Sequence, residues 1–204
     1  FCEEWLADLD PAQLDYVYVC GIELEEPSGQ AMLKWLRDHP GPQVFFAPGA
    51  RLMHLDAFHW QQMEACRPIL HLNEAEACWL SKTGEIEEAA RTLHDRFGQA
   101  VIITRGEQGA VCCSAEGNVQ ELPGVAAEVV DTIGAGDCHA GTVLAGLKLG
   151  WPLAMAVDLA NAMAARVVAR SSARLDETEF DAVLNTWRKN AGKDLPAEGK
   201  CGIL

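Results

Sequence analysis

The stretch Val129-Val130-Asp131-Thr132-Ile133-Gly134-Ala135-Gly136-Asp137-Cys138-His139-Ala140-Gly141 carries the densest chemistry in the chain. A β-branched run leads into a glycine-rich turn, and an aspartate stands where an apolar helix begins. Glycines let backbone N–H groups come close to an anion, and a helix N-terminus adds positive potential at the same place. Gly134, Ala135 and Gly136 are read as an anion hole of backbone donors, suited to the charge on a transferred phosphoryl group. Asp137 beside it is the candidate catalytic base, placed to orient or deprotonate an acceptor hydroxyl. An acidic residue in the first turn of a helix is also favoured by the dipole alone.

Other nucleotide-binding patterns fit less well. A dinucleotide fingerprint would need a small residue at position 139, which is His139. No Gly-Lys-Ser/Thr follows a glycine turn, so a Walker loop is absent. Two further groups stand out. Asn73-Glu74-Ala75-Glu76 has the spacing of a capping box, and its carboxylate also suits a hydrated Mg²⁺; spacing alone leaves both readings open. Ile103-Thr104-Arg105-Gly106-Glu107-Gln108-Gly109-Ala110 is a strand running into a glycine turn. Arg105 within it is open between a phosphate contact and a solvated arginine.

These three segments resemble motifs of the PfkB (ribokinase-like) carbohydrate kinase family. Asp131 to Asp137 is similar to its C-terminal signature, Asn73 to Glu76 to its Asn-x-x-Glu motif, and Thr104 to Gly109 to its Thr-x-Gly-x-x-Gly turn. They occur in the family's order, and the resemblance runs along nearly the whole chain. It implies transfer of the ATP γ-phosphate to a hydroxyl of a sugar or nucleoside, with Asp137 acting on the acceptor and Gly134 to Gly136 holding the phosphoryl group. It implies that Asn73, Thr104, Gly106 and Gly109 lie along the nucleotide, and that Asn161 borders the adenine. A satisfied packing asparagine is the alternative for Asn161. Glu76 is implied to hold Mg²⁺ through water. Asp131, with Ile133, matches a monovalent-cation site of some relatives, although an Asx turn is the plainer role. Arg170-Ser171-Ser172-Ala173 replaces a common glycine-containing segment of that site, which leaves K⁺ open. His139 stands where relatives often carry an aromatic residue, and a packing role is expected. Ala47 stands where many relatives carry an aspartate.

Full family members also have an N-terminal part with a glycine-pair motif, most sugar-binding residues and a β-sheet lid. The resemblance does not extend to these. The expectation is therefore a ribokinase-like core over 1–190, truncated at its N-terminus, with a flexible tail over 191–204. Substrate choice and a homodimer formed through the lid would reside in the missing part. A non-catalytic nucleotide-binding module is the competing reading.

Composition sets outer bounds. A chain of 204 residues with 49% apolar residues can bury one sizeable core. A net charge of −14 argues against a nucleic-acid partner. No apolar run is long enough for a membrane span, and a membrane partner is not expected. The eight cysteines form no C-x-x-C pair, so reduced thiols in a cytoplasmic setting are expected rather than disulfides or zinc.

The elements that must position these residues alternate. Strands are expected at 15–21, 44–46, 68–72 and 100–103, and helices at 27–39, 57–66, from Glu74, and at 85–97. A hairpin joins 110–113 to 119–122 across Glu116-Gly117-Asn118. Helices follow at 135–149, 152–170 and 177–190. This order implies an α/β fold, a mostly parallel sheet with helices on both faces. With strands ending before Asn73, Thr104 and Asp131, the three motifs should gather at one sheet edge.

Overall fold

The structure, a computed structural model, describes residues 3–191. These fall into two compact units. One holds the residues up to Thr104 together with Val111–Gln120; the other holds Arg105–Ala110 and the chain from Glu121 onward.

One six-stranded sheet runs in the order β1 (Tyr16–Cys20), β2 (Gln43–Ala47), β3 (Ile69–Asn73), β4 (Val101–Thr104), β5 (Ala110–Cys113) and β6 (Val119–Leu122). The first four strands are mutually parallel, with Val17 opposite Val44, Phe46 opposite Leu70 and Leu72 opposite Ile103. Their runs are β-branched and aromatic with little alternation of polarity, as expected of strands buried on both sides. Val44, Phe46, Leu70, Leu72, Val101, Ile103, Val111 and Cys113 point into one apolar cluster, while the alternate residues Phe45, Ile102 and Cys112 are buried as well. The hairpin is closed where Ser114 N–H donates to the Asn118 carbonyl at 2.9 Å.

Helices α1 (Glu3–Ala7), α2 (Gly21–Glu25), α3 (Gly29–Asp38), α4 (Ala57–Ala65), α5 (Glu74–Ser81) and α6 (Ile86–Phe97) connect or flank these strands. α3 buries Met32, Leu33, Trp35 and Leu36, and α6 buries Ala89, Ala90, Leu93 and Phe97, each as one stripe at helical spacing. Fully burying a side chain such as Leu93 or Phe46 stabilises the fold by about 1.5–3 kcal/mol each. The second unit is built on α7 (Ala135–Lys148), α8 (Leu153–Val168) and α9 (Glu177–Ala191). α7 and α8 approach closely at Gly146, where an added methyl would stand 2.7 Å from the Ala156 side chain. α9 docks on α8 through Trp187, which packs with Leu159 and Met163 and donates its indole N–H to Asp158 at 2.8 Å.

Two expectations are corrected. The helix expected at 27–39 is α3, but the strand expected over 15–21 stops at Cys20, because a helix that was not expected, α2, begins at Gly21 directly after β1. Glu23 Oε2 accepts from the Cys20 N–H at 2.9 Å and starts it there. Val129 and Val130 form no strand: they are 64% and 59% exposed, and the N–H groups of Val130 and Asp131 turn to the Val168 carbonyl at the end of α8. The tail over 192–204 lies outside the described residues. Among the described residues no helix is long and apolar enough to cross a membrane.

Candidate active site

In the first unit, Asn73 ends β3 and caps α5. Its Oδ1 accepts from the Glu76 N–H at 2.9 Å, and Glu76 Oε2 accepts from the Asn73 N–H at 3.0 Å. Asn73 Nδ2 also donates to Glu76 Oε1 at 2.7 Å. The capping box is therefore made, and both Glu76 oxygens are engaged by one residue. Burial pushes the Glu76 carboxyl above its ordinary value, against the opposing pull of the Asn73 N–H. Thr104 lies directly opposite Asn73 in the β3–β4 register, and its hydroxyl donates to the Leu72 carbonyl at 3.3 Å. Two of the three expected strand-end positions thus meet at one edge. Asp131, in the second unit, does not follow a strand, so the expected third strand end is not formed.

In the second unit, the turn after Thr104 is held by Arg105 N–H donating to the Gly109 carbonyl at 2.7 Å and Gly109 N–H donating to the Gly106 carbonyl at 3.1 Å. Gly109 sits at φ 91°, ψ −127°, and an added Cβ would fall 2.2 Å from the Leu122 carbonyl oxygen. Only glycine fits that backbone and that approach. Arg105 is largely buried rather than solvated; it donates to Glu121 at 2.6 Å and also bonds Gln108.

The chain reaches α7 through an Asx turn, with Asp131 Oδ1 accepting from the Ile133 N–H at 3.0 Å. Gly134 opens the helix at φ 80°, against Ala173. Arg170, at the other end of that neighbouring segment, pairs with Glu179. The N–H of Ala135 donates to the Thr132 carbonyl at 3.2 Å. The N–H groups of Gly136 and Asp137 belong to the first turn, where an N–H has no acceptor within the helix. Beside Gly136 the space is open, with no atom within 4 Å of an added Cβ, and Asp137 is exposed in the helix's first turn. The start of α7 thus presents first-turn N–H groups, open space and an exposed carboxylate.

Two residues further on, His139 is 2% exposed and its Nε2 lies 3.2 Å from Asn161 Oδ1 on α8. The Asn161 Nδ2 faces the Leu122 and Pro123 carbonyls at 3.3 and 3.1 Å. That environment fixes the amide orientation, so His139 carries its proton on Nε2 and donates. Burial pulls the imidazole down to about 4, opposed by the Asn161 bond. Asn161 thus spends its amide on protein partners, and sequence spacing could not have shown this, since those partners lie 22 to 39 residues away. No group of three or more His, Cys, Asp or Glu among the described residues could cage a metal ion. Cys20, Cys66, Cys78, Cys112, Cys113 and Cys138 are free thiols.

A parallel-sheet α/β fold with a glycine-led helix start of this form defines a class, the ribokinase-like kinases, and comparison with known proteins agrees. The model of the pfkB family of carbohydrate kinases matches residues 4–179, and the chain belongs to that family. It is 36% identical over 171 residues to the uncharacterised sugar kinase YegV of Escherichia coli K12, covering 81% of this chain and 52% of that one. A cytidine kinase of Thermococcus kodakarensis is 38% identical over 94 residues, 45% of this chain and 33% of its own. The chain therefore spans about half or less of the length of these relatives. Among solved structures, aminoimidazole riboside kinase from Salmonella enterica, bound to aminoimidazole riboside and an ATP analogue, superposes with a TM-score of 0.73 at 26% identity. That match covers 88% of this chain and 66% of the other. The nucleoside kinase of Burkholderia thailandensis, bound to inosine, superposes with a TM-score of 0.70 at 26% identity, covering 92% and 59%.

Proposed function

We propose that the protein is an ATP-dependent kinase that moves the γ-phosphate of ATP to a hydroxyl of a sugar or nucleoside. The observation that carries the reading is the start of α7: the first-turn N–H groups of Gly136 and Asp137, open space beside Gly136, and an exposed carboxylate on Asp137. Donors fixed before the reaction stabilise charge as it spreads over the phosphoryl oxygens. Asp137 orients the acceptor hydroxyl and takes its proton. The ligands bound in two solved relatives, a riboside with an ATP analogue and inosine, support a small polyhydroxylated acceptor and a nucleotide donor.

The Gly106–Gly109 turn, with Thr104 before it, is read as the nucleotide's phosphate and ribose contact, and Asn73 as a neighbour of the phosphates. Asn161 acts at the nucleotide only indirectly, through the backbone it holds. Glu76 fits Mg²⁺ reached through water rather than by direct ligation, since one residue already engages both its oxygens. Mg²⁺, when bound, neutralises phosphate charge. Asp131 is the candidate for a monovalent cation such as K⁺. No nucleic-acid or membrane partner enters this reading.

The competing reading is a nucleotide-binding module without transfer. Titration with MgATP, followed by ADP release across a panel of sugars and nucleosides, separates the two. Acceptor-dependent ADP release establishes the kinase. Tight MgATP binding with no release for any acceptor supports the module, and absence of binding removes both.

A further inference from the structure

The two turns read as phosphate contacts in the second unit, Gly106–Gly109 and Gly134–Asp137, are joined by one polar chain through the buried side chains of His139 and Asn161. His139 lies in α7 two residues beyond Asp137, and donates to Asn161 at 3.2 Å. Asn161 donates in turn to the Leu122 and Pro123 carbonyls. The backbone at 122–124 is pressed against the first turn: a Cβ on Gly109 would lie 2.4 Å from Gly124 N, and one on Gly124 would lie 2.1 Å from the Glu107 carbonyl oxygen. At both glycines the approach is too close to admit a side chain, so displacement of 122–124 is felt directly at 107–109.

We propose that His139 is a positioning residue, which through Asn161 sets where the helix start bearing Asp137 stands relative to the Gly106–Gly109 turn. A phenylalanine ring at this position could fill the same space but could not donate. The imidazole N–H adds direction, because it pins the Asn161 oxygen and so aims the amide nitrogen at both carbonyls. The consequence for catalysis rests on the kinase reading; the mechanical coupling does not.

The test uses the whole chain and three variants. His139→Leu removes the donor, His139→Gln restores one near the Nε2 position, and Asn161→Asp keeps the acceptor for His139 while deleting both donors to Leu122 and Pro123. Hydrogen exchange is read at the Arg105 and Gly109 amides, whose bonds close the turn. In His139→Leu and Asn161→Asp their exchange should rise about tenfold, the scale of one lost buried hydrogen bond, with α9 unchanged. His139→Gln should return it to near the wild-type rate. In parallel the KM for MgATP should rise about tenfold in the first two variants, with a smaller change in kcat. Unchanged exchange at Arg105 and Gly109 in folded His139→Leu overturns the proposal. Should that variant not fold, unchanged exchange in Asn161→Asp does the same. Wild-type protein that binds no MgATP refutes the kinase reading instead, and the exchange data still decide the coupling.

Discussion

Alanine at Gly136 separates two jobs a glycine can hold at a helix start. Gly136 has ordinary helical φ, and an added Cβ meets nothing within 4 Å. On folding grounds Gly136→Ala should be harmless or helpful, gaining about 0.4–1 kcal/mol by restricting the unfolded chain. Gly134 differs: it sits at φ 80°, and its Cβ would fall 2.5 Å from the Ala173 Cβ. A left-handed alanine costs about 1–2 kcal/mol and the forced overpacking about 1–3 more, so Gly134→Ala should lose roughly 2–5 kcal/mol. If a phosphoryl oxygen must approach the Gly136 N–H, the new methyl occupies its path. Turnover should then fall by about 100-fold or more, the usual scale for losing one donor of an oxyanion site. Urea unfolding and acceptor-dependent ADP release on the same preparations give both numbers. A Gly136→Ala protein as stable as wild type with undiminished turnover would refute the claim that the open space serves the phosphoryl group.

Two other outcomes follow from the titrating groups. His139 is held down to about 4 in the fold, against 6.5 when unfolded, so below neutrality the unfolded chain binds the extra proton. Stability should fall by up to about 3 kcal/mol as pH drops from 6.5 to 4, and His139→Phe should flatten that segment of the urea-midpoint profile; a variant profile parallel to wild type contradicts the assignment. Glu76 is raised by burial, so its contribution is present at low pH and is lost as pH rises above the ordinary carboxylate value. Glu76→Gln, which can keep the capping box, should therefore gain stability relative to wild type between pH 4 and 7 while weakening the Mg²⁺ dependence of nucleotide binding. A relative loss over that range, with Mg²⁺ dependence intact, would remove Glu76 from both roles.

How far the sequence could be read depended on the range of the interactions. The strands and α3, α5 and α6 follow from apolar spacing and local caps, as the Asn73–Glu76 box shows within four residues. The parallel order followed from alternation alone, and it set Asn73 opposite Thr104. α2 was hidden because Pro27 dominates the local signal, whereas the start comes from Glu23 reaching back to Cys20. Val129 and Val130 have strand composition but gain no strand partner, and composition cannot supply one. A packing role was legible for His139 from the aromatic residue that relatives often carry at its position. The donor it offers Asn161, and the engagement of Arg105 by Glu121 16 residues on, depend on how the second unit folds.

The central claim is that Asp137 acts on an acceptor hydroxyl beside a backbone phosphate cradle. The most direct measurement is ADP release by wild type and Asp137→Asn, with MgATP, over the sugar and nucleoside panel, alongside MgATP titration of both. The account predicts acceptor-dependent release by wild type, loss of release in Asp137→Asn by several orders of magnitude, and MgATP binding that is nearly equal in the two. Wild-type-like release by the Asp137→Asn protein would contradict it.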